Sequence, residues 1–164
     1  MRGALAACFI IAAGVCKAPL AHEDVFDGQS DAGWTTAERK AGHDQALAMT
    51  RIHQLVTIND GLGELARRNT SACRWMNQVT GPETLEKQVT AFDANPAIKQ
   101  VIQAARMTIR EYLLTLHAVS ETAISVHAAE HGMQLTSVAS AGNVAFYREH
   151  RSEIERLLDA PDPC

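Results

Sequence analysis

Three threonines in this sequence are each followed, three residues later, by a glutamate, the pattern of a helix-capping box. The pairs are Thr35 with Glu38, Thr80 with Glu83, and Thr108 with Glu111. In such a box the threonine hydroxyl and the glutamate carboxylate each accept a backbone N–H that the start of a helix leaves unpaired. Apolar residues at helical spacing follow each pair, and strand patterns are nearly absent, so the sequence predicts an all-α domain. We expect a compact bundle of four or five helices with short loops.

Other turn and cap residues indicate where these helices begin and end. Asn59, Gly61 and Gly63 are expected to weaken or end the helix that follows Thr35. Asn95-Pro96 closes the helix after Thr80 and opens the next one, because the residue before proline avoids the helical region. The longest periodic segment runs from Thr108 to Gly132, which suits a C-terminal stop. Asn143 is the predicted N-cap of the last helix.

The first 21 residues have the three-part layout of an export signal. Met1–Gly3 is a short positive start, residues 4–15 form an uncharged apolar run, and a stretch of small residues ends at Ala21. The run is too short to span a bilayer comfortably. We therefore expect residues 1–21 to be a signal peptide, residues 22–34 a flexible lead-in and residues 35–164 a single helical domain. The mature chain would be periplasmic or secreted and would contain no integral membrane segment.

Two other interpretations of this segment stay open. Cleavage after Ala18 is an alternative to cleavage after Ala21, because Pro19 is not a small residue. Cys16 could instead carry a lipid anchor, although Val15 is bulky for the position directly before a lipidated cysteine. An ordinary N-terminal core helix is less favoured, since no cap or polar face interrupts the run.

The cysteines divide between the signal and the mature chain. Cys8 and Cys16 leave with the signal, so Cys73 and Cys164 remain as an even pair in an oxidising compartment. One disulfide joining Cys73 to Cys164 is the favoured interpretation, and two unrelated thiols are the alternative. The spacing matches no zinc, redox or haem-attachment motif.

Charge argues against some classes of partner. The net charge is −4 and the sequence has no Lys/Arg cluster, which argues against electrostatic binding of nucleic acid. The same acidic balance gives no reason to sit on an anionic membrane surface. A protein partner of unidentified kind stays possible.

A group of histidines on the longest helix is the candidate metal site. His117, His127 and His131, with Glu121, fall within roughly 120° of the helix surface. His127 and His131 are four residues apart, a spacing that can clamp one zinc or copper ion, with a third ligand from His53 or His150. The zincin pattern is absent because Ala128 follows the first histidine of the pair. The alternative is a solvated polar face near a helix end, where histidine suits the dipole.

No other constellation indicates a reaction. The serines Ser120, Ser125 and Ser137 lack the context of a nucleophile elbow, and the glutamates do not follow the Glu-x-x-His pattern of di-metal bundles. We assign no catalytic residue and no cofactor. The sequence favours a non-enzymatic structural or partner-binding module, with a metal- or small-ligand-binding protein as the alternative.

The two tryptophans have both a packing and a binding interpretation. Trp34 precedes the first capping box and fits a hydrophobic staple, while Trp75 lies near Cys73 and could cover a disulfide. Either could anchor a partner, since tryptophan is common in interface hot spots. Core packing is the favoured use.

The segment from Phe92 to Leu158 resembles a group of small exported bacterial proteins, in which a signal peptide precedes a helical domain of unassigned activity. The matching residues are Asn95-Pro96-Ala97-Ile98, Ile102-Gln103-Ala104-Ala105, Met107-Thr108-Ile109-Arg110-Glu111-Tyr112, Asn143-Val144-Ala145-Phe146, His150-Arg151 and Ile154. The resemblance implies export and a helical fold and carries over no catalytic residue. Where the group has glycine this chain has Arg106, which predicts against a tight helix C-cap at that point. Arg110 and Arg151 are expected to pair with glutamates or to cap carbonyls between helices.

Overall fold

The computed structural model describes residues 33–69, 75, 83–135 and 139–158. Six helices lie in these ranges: α1 (Thr36–Asp44), α2 (Met49–Arg68), α3 (Leu85–Asp93), α4 (Pro96–Ala104), α5 (Ile109–Glu130) and α6 (Ala141–Leu158). The described residues contain no strand, so the all-α prediction is confirmed, but six helices replace the expected four or five. The predicted signal peptide, Cys73, Cys164 and Thr80 lie outside the described residues, and so does Cys16.

Two of the three predicted capping boxes are confirmed. The N–H of Thr35 donates to Glu38 Oε2 at 2.6 Å, and the N–H of Thr108 donates to Glu111 Oε2 at 2.9 Å. The second box involves Thr80, which lies outside the described residues, but the predicted helix start there was wrong, because Glu83 precedes α3, which begins at Leu85 with Thr84 as its N-cap. The hydroxyl of Thr84 accepts the N–H of Lys87 at 3.3 Å, so a threonine four residues after Thr80 caps α3.

Helix α2 continues through the glycines that were expected to weaken or end it. A Cβ added to Gly61 would lie 2.7 Å from Cγ1 of Val101 on α4, which is closer than van der Waals contact allows. Gly63 is buried within the same helix. The prediction that a break occurs here was wrong, because close packing of α2 against α4 uses the missing side chain of Gly61 and offsets its low helix propensity.

Helix α5 is the centre of the described fold, and each of the other five helices packs against it. Its buried residues are distributed around most of its circumference, as expected for a helix surrounded by others. The fully buried core side chains include Ile52, Leu55 and Ile58 of α2, Leu85 of α3, Ile98 and Ile102 of α4, Val119 and Val126 of α5, and Ile154 of α6. None of the six described helices is long and apolar enough to cross a membrane.

The C-terminal ends of α4 and α5 have the same turn. At the end of α5, Gly132 has φ +66°, and the N–H of Met133 donates to the carbonyl of Ala128 at 2.9 Å, which confirms the predicted stop. At the end of α4, Arg106 takes the glycine position with φ +60°, and the N–H of Met107 donates to the carbonyl of Ile102 at 3.4 Å. A tight C-cap is therefore present, and the expectation drawn from Arg106 was wrong.

A side chain of α2 explains why an arginine is held in this conformation. Gln54 Nε2 donates to the carbonyls of Ala105 and Arg106, at 3.0 and 3.3 Å. Met107, which follows, is buried in the core. Contacts on both sides of Arg106 fix the backbone in the left-handed region that a non-glycine residue otherwise avoids.

Candidate functional site

The histidines predicted to bind a metal lie in two separate places on α5. The exposed rings of His127 and His131 lie side by side near the C-terminal end, with centroids 4.1 Å apart. His117 is ten residues before His127, which is about 15 Å along the helix axis. Its ring is partly buried and stacks on Trp34, with centroids 4.5 Å apart. The structure therefore brings His127 and His131 together and leaves His117 elsewhere.

The two residues predicted as a third metal ligand, His53 and His150, each contact a side chain other than those of His127 and His131. His53 Nε2 is 3.8 Å from Glu153 Oε1, and the ring of His150 packs on Phe146 with centroids 4.7 Å apart. Glu121 Oε2 is 3.8 Å from Nδ1 of His43 on α1. In the part of the chain that the structure describes, no three or more His, Cys, Asp or Glu residues are grouped so that they could hold a metal ion.

Trp34 is part of the contact that holds α1 against α5. The indole is 7% exposed, and its Nε1 donates to Oε1 of Gln88 on α3 at 3.3 Å. Gly42 of α1 lies directly against the imidazole of His117, leaving no room for a Cβ. Trp34 therefore has the packing role, and His117 is its stacking partner. Trp75 packs edge-on against Phe92, with centroids 5.3 Å apart, and is partly buried.

Glu38 has a second role that the capping pattern did not indicate. Its Oε1 accepts the N–H of Glu86 in the first turn of α3 at 3.2 Å, while Oε2 closes the capping box. Burial is the strongest single influence on its pKa and acts to raise it. Hydrogen bonds from Thr35, Glu86 and Leu85 together prevail and hold the pKa of Glu38 below its ordinary value. One carboxylate therefore joins the starts of two helices.

Asn143 is not the N-cap of the last helix, and this prediction was wrong. Helix α6 begins at Ala141, and the hydroxyl of Ser140 accepts the N–H of Asn143 at 3.3 Å, in the manner of a cap. The side chain of Asn143 is buried instead. Its Oδ1 accepts the N–H of Leu47 at 3.0 Å and its Nδ2 donates to the carbonyl of Gln45 at 2.9 Å. Asn143 thus fastens the turn between α1 and α2 to α6.

The buried hydroxyls of α5 differ in whether they find a partner. Ser125 Oγ accepts the N–H of Ala139, just before α6, at 2.9 Å, and Thr122 Oγ1 donates to the carbonyl of Ala118 at 2.6 Å. The hydroxyls of Thr115 and Ser120 are buried without a hydrogen-bond partner among the described residues. Such groups reduce stability because their desolvation is not compensated.

The two arginines expected to pair with glutamates do so between helices. Arg110 of α5 pairs with Glu86 of α3. Arg151 of α6 reaches Glu130 Oε1 of α5 at 2.6 Å through Nη1 and Glu155 Oε1 at 2.7 Å through Nε. The hydrogen bond from Arg151 is the main reason that the pKa of Glu130 lies below its ordinary value. Both pairs fasten neighbouring helices to α5.

Comparisons with protein-family models, with curated proteins and with solved structures find no significant match to this chain. The resemblance noted from Phe92 to Leu158 therefore stays a prediction. Function has to be argued from the chemistry of the residues themselves.

Proposed function

We propose that this chain is an exported helical module that acts by binding a protein partner and not by catalysis. One observation carries the proposal. Three of its buried polar side chains, Glu38, Ser125 and Asn143, direct their hydrogen bonds to the backbone of a neighbouring element. A group paired in this way holds helices in place and is not available to a substrate. The pairing of these three side chains therefore favours a structural role for the polar groups in the interior of the described fold.

We place the partner contact on the outward face of α6 and the end of α5 that precedes it. Ser152 lies on the outward face of α6, and Met133, 43% exposed, follows α5. Met133 is the one large apolar side chain among the described residues that is exposed. Methionine is unbranched and polarisable, which allows it to fit irregular partner surfaces. The charged residues around Ser152 would form the polar rim of such a contact.

Photo-crosslinking in intact cells tests this placement. A photoreactive amino acid replaces Met133 or Ser152, and Gln100, an exposed residue of α4, serves as the matched control position. We expect a discrete crosslinked species from positions 133 and 152 and none from position 100. Equal crosslinking at all three positions, or no crosslinked species at any of them, would contradict a partner surface formed by Met133 and the outward face of α6.

Export is tested by the location and mass of the mature chain. We expect the protein in the periplasmic or secreted fraction, beginning at His22, with Cys73 and Cys164 resistant to alkylation until a reductant is added. If Cys16 carries an acyl group instead, the protein is expected in the membrane fraction, held there by the acyl chain. An uncleaved chain beginning at Met1 in the cytoplasm would contradict export.

A further inference from the structure

The imidazole of His131 contacts the backbone of His127, and this contact selects one tautomer of the His131 ring. His131 Nδ1 lies 2.9 Å from the carbonyl oxygen of His127. A carbonyl oxygen accepts hydrogen bonds and cannot donate them, so Nδ1 of His131 carries the proton in this contact. In the neutral ring the lone pair is then on Nε2. Metal-binding histidines commonly have this arrangement, with one ring nitrogen donating to a backbone carbonyl and the other binding the ion.

The backbone at this point is fixed by the end of the helix. The Gly132 turn closes α5 directly after His131, and the N–H of His131 donates to the carbonyl of His127 at 3.1 Å. The last carbonyls of a helix carry partial negative charge, which favours a nearby cation. The carboxylate of Glu130 is also close to His131, but Arg151 pairs with it, so the helix carbonyls are the main source of the favourable charge. Position and charge therefore both suit a bound cation.

The spacing of the two rings suits a shared ion. Bonds of about 2.0–2.1 Å from two nitrogens to a tetrahedral ion place those nitrogens about 3.3 Å apart. The ring centroids of His127 and His131 are already 4.1 Å apart, and the planes are inclined by 32°. Both side chains are exposed, so rotation about their side-chain bonds can bring a nitrogen of each ring to that separation and direct the two lone pairs toward one ion.

We propose that His127 and His131 form a two-histidine chelate for a divalent transition-metal ion, with water in the remaining positions. Imidazole nitrogens suit both copper and zinc, and Cu²⁺ is expected to bind more tightly than Zn²⁺. The site does not depend on the proposed protein partner. It uses the side chains of His127, in the last turn of α5, and of His131, the C-cap residue, and leaves the buried contacts of the fold unchanged.

Titration of the mature chain with CuSO₄ and ZnCl₂, followed by calorimetry and by thermal unfolding, tests the chelate. The decisive variant is A129H/H131A, which keeps the number of histidines but places them two residues apart. Side chains at that spacing lie about 200° apart around the helix and do not face each other. Ala129 and His131 are exposed, so we expect the variant to fold. We expect Cu²⁺ affinity to fall at least about tenfold and the metal-induced rise in Tm to disappear.

Two controls separate this site from general histidine binding. His53→Ala removes another exposed histidine and should leave Cu²⁺ affinity unchanged. His22→Ala removes a terminal imidazole that, beside a free amino group, would bind Cu²⁺ independently. In an NMR titration, substoichiometric Zn²⁺ should shift the imidazole protons of His127 and His131 together. Wild-type affinity in A129H/H131A, an equal loss in His53→Ala, or shifts spread over all histidines would each overturn the proposal.

Discussion

At the scale of single residues, two threonines of α5 form a matched pair that differs in one hydrogen bond. Thr115 and Thr122 are both fully buried, but among the described residues only the hydroxyl of Thr122 has a partner, the carbonyl of Ala118. Replacing Thr115 by valine keeps the shape of the side chain and removes an uncompensated hydroxyl. We expect Thr115→Val to raise the free energy of unfolding by about 1 kcal/mol and Thr122→Val to lower it by about 1 kcal/mol.

Urea unfolding of the two variants and the wild type measures this difference. An equal loss of stability in both variants would contradict the prediction, because it would show that the hydroxyl of Thr115 has a partner in solution.

The roles of single polar residues were only partly predictable from sequence. The pairing of Arg110 and Arg151 with glutamates followed from charge, and the structure has both pairs. Asn143 was assigned by its local cap propensity, yet it lies four residues before Tyr147 and eleven before Ile154, on the buried face of α6. That spacing was present in the sequence. Its partners, the backbone of Gln45 and Leu47, are about a hundred residues away, and no local pattern indicates them.

At the scale of helices, the end of α4 contains a backbone conformation that suits glycine. Arg106 has φ +60°, where a Cβ is strained, and its carbonyl and that of Ala105 are held by Gln54. We expect Arg106→Gly to raise the free energy of unfolding by about 1 kcal/mol, since glycine removes the strain. Arg106→Ala keeps the Cβ and is expected to give no such gain. Thermal and urea unfolding compare the two, and an equal gain in both would point to loss of the arginine charge instead.

The contact of α1 with α5 depends on a glycine. A Cβ at Gly42 would overlap Cδ2 of His117 and lie 3.2 Å from Cζ3 of Trp34, whereas no atom of the part of the chain that the structure describes lies within 4 Å of a Cβ at Gly142. We expect Gly42→Ala to lower the free energy of unfolding by about 1–3 kcal/mol through overpacking. Gly142→Ala should raise it by roughly 0.5–1 kcal/mol through helix propensity.

Near-ultraviolet circular dichroism of Trp34 provides an independent readout for Gly42→Ala, because the His117 ring must move to make room. A variant as stable as the wild type, with an unchanged tryptophan signal, would contradict the close packing of α1 on α5.

Helix boundaries were predictable where the signal is local. Thr35 and Thr108 cap their helices through residues three positions away, so their boxes could be recognised from sequence. The end of α3 and start of α4 at Asn95-Pro96 follow from the restricted backbone around proline and are as expected. The continuity of α2 was not predictable, because Gly61 is tolerated for its contact with Val101 on another helix. Tertiary packing overrides propensity at such positions.

At the scale of the whole molecule, composition and periodicity indicated an all-α chain, and the structure adds which helix is central. Helix α5 is buried around most of its circumference, which a count of apolar residues on one stripe does not show. Polar residues such as Thr115, Ser120 and Ser125 occupy part of its buried surface. The metal-site prediction grouped His117 with His127 and His131 by their angle around the helix, and it did not include the axial distance from His117 to His127, which is about 15 Å.

The stability of the whole chain in acid should depend in part on Glu38. The folded structure lowers the pKa of Glu38 from its ordinary value of 4.5. Its stabilising contribution is therefore complete above about pH 4.5 and is lost as the pH falls through the lower folded-state value. We expect Glu38→Gln to be less stable than the wild type at pH 7, with the two converging below pH 4.5. Urea unfolding across pH 3–7 measures this, and a constant difference would contradict it.

The central claim is that buried polar side chains fasten outer elements to the core around α5. Hydrogen exchange of the wild type and Asn143→Ala, followed by mass spectrometry, tests it most directly. In the wild type, amides of residues 112–126 should exchange slowest. In Asn143→Ala, residues 44–48 and the first turn of α6 should lose protection, because the backbone of Gln45 and Leu47 loses its partner, while residues 112–126 remain the slowest. Unchanged protection at residues 44–48, or an equal loss throughout α5, would contradict the claim.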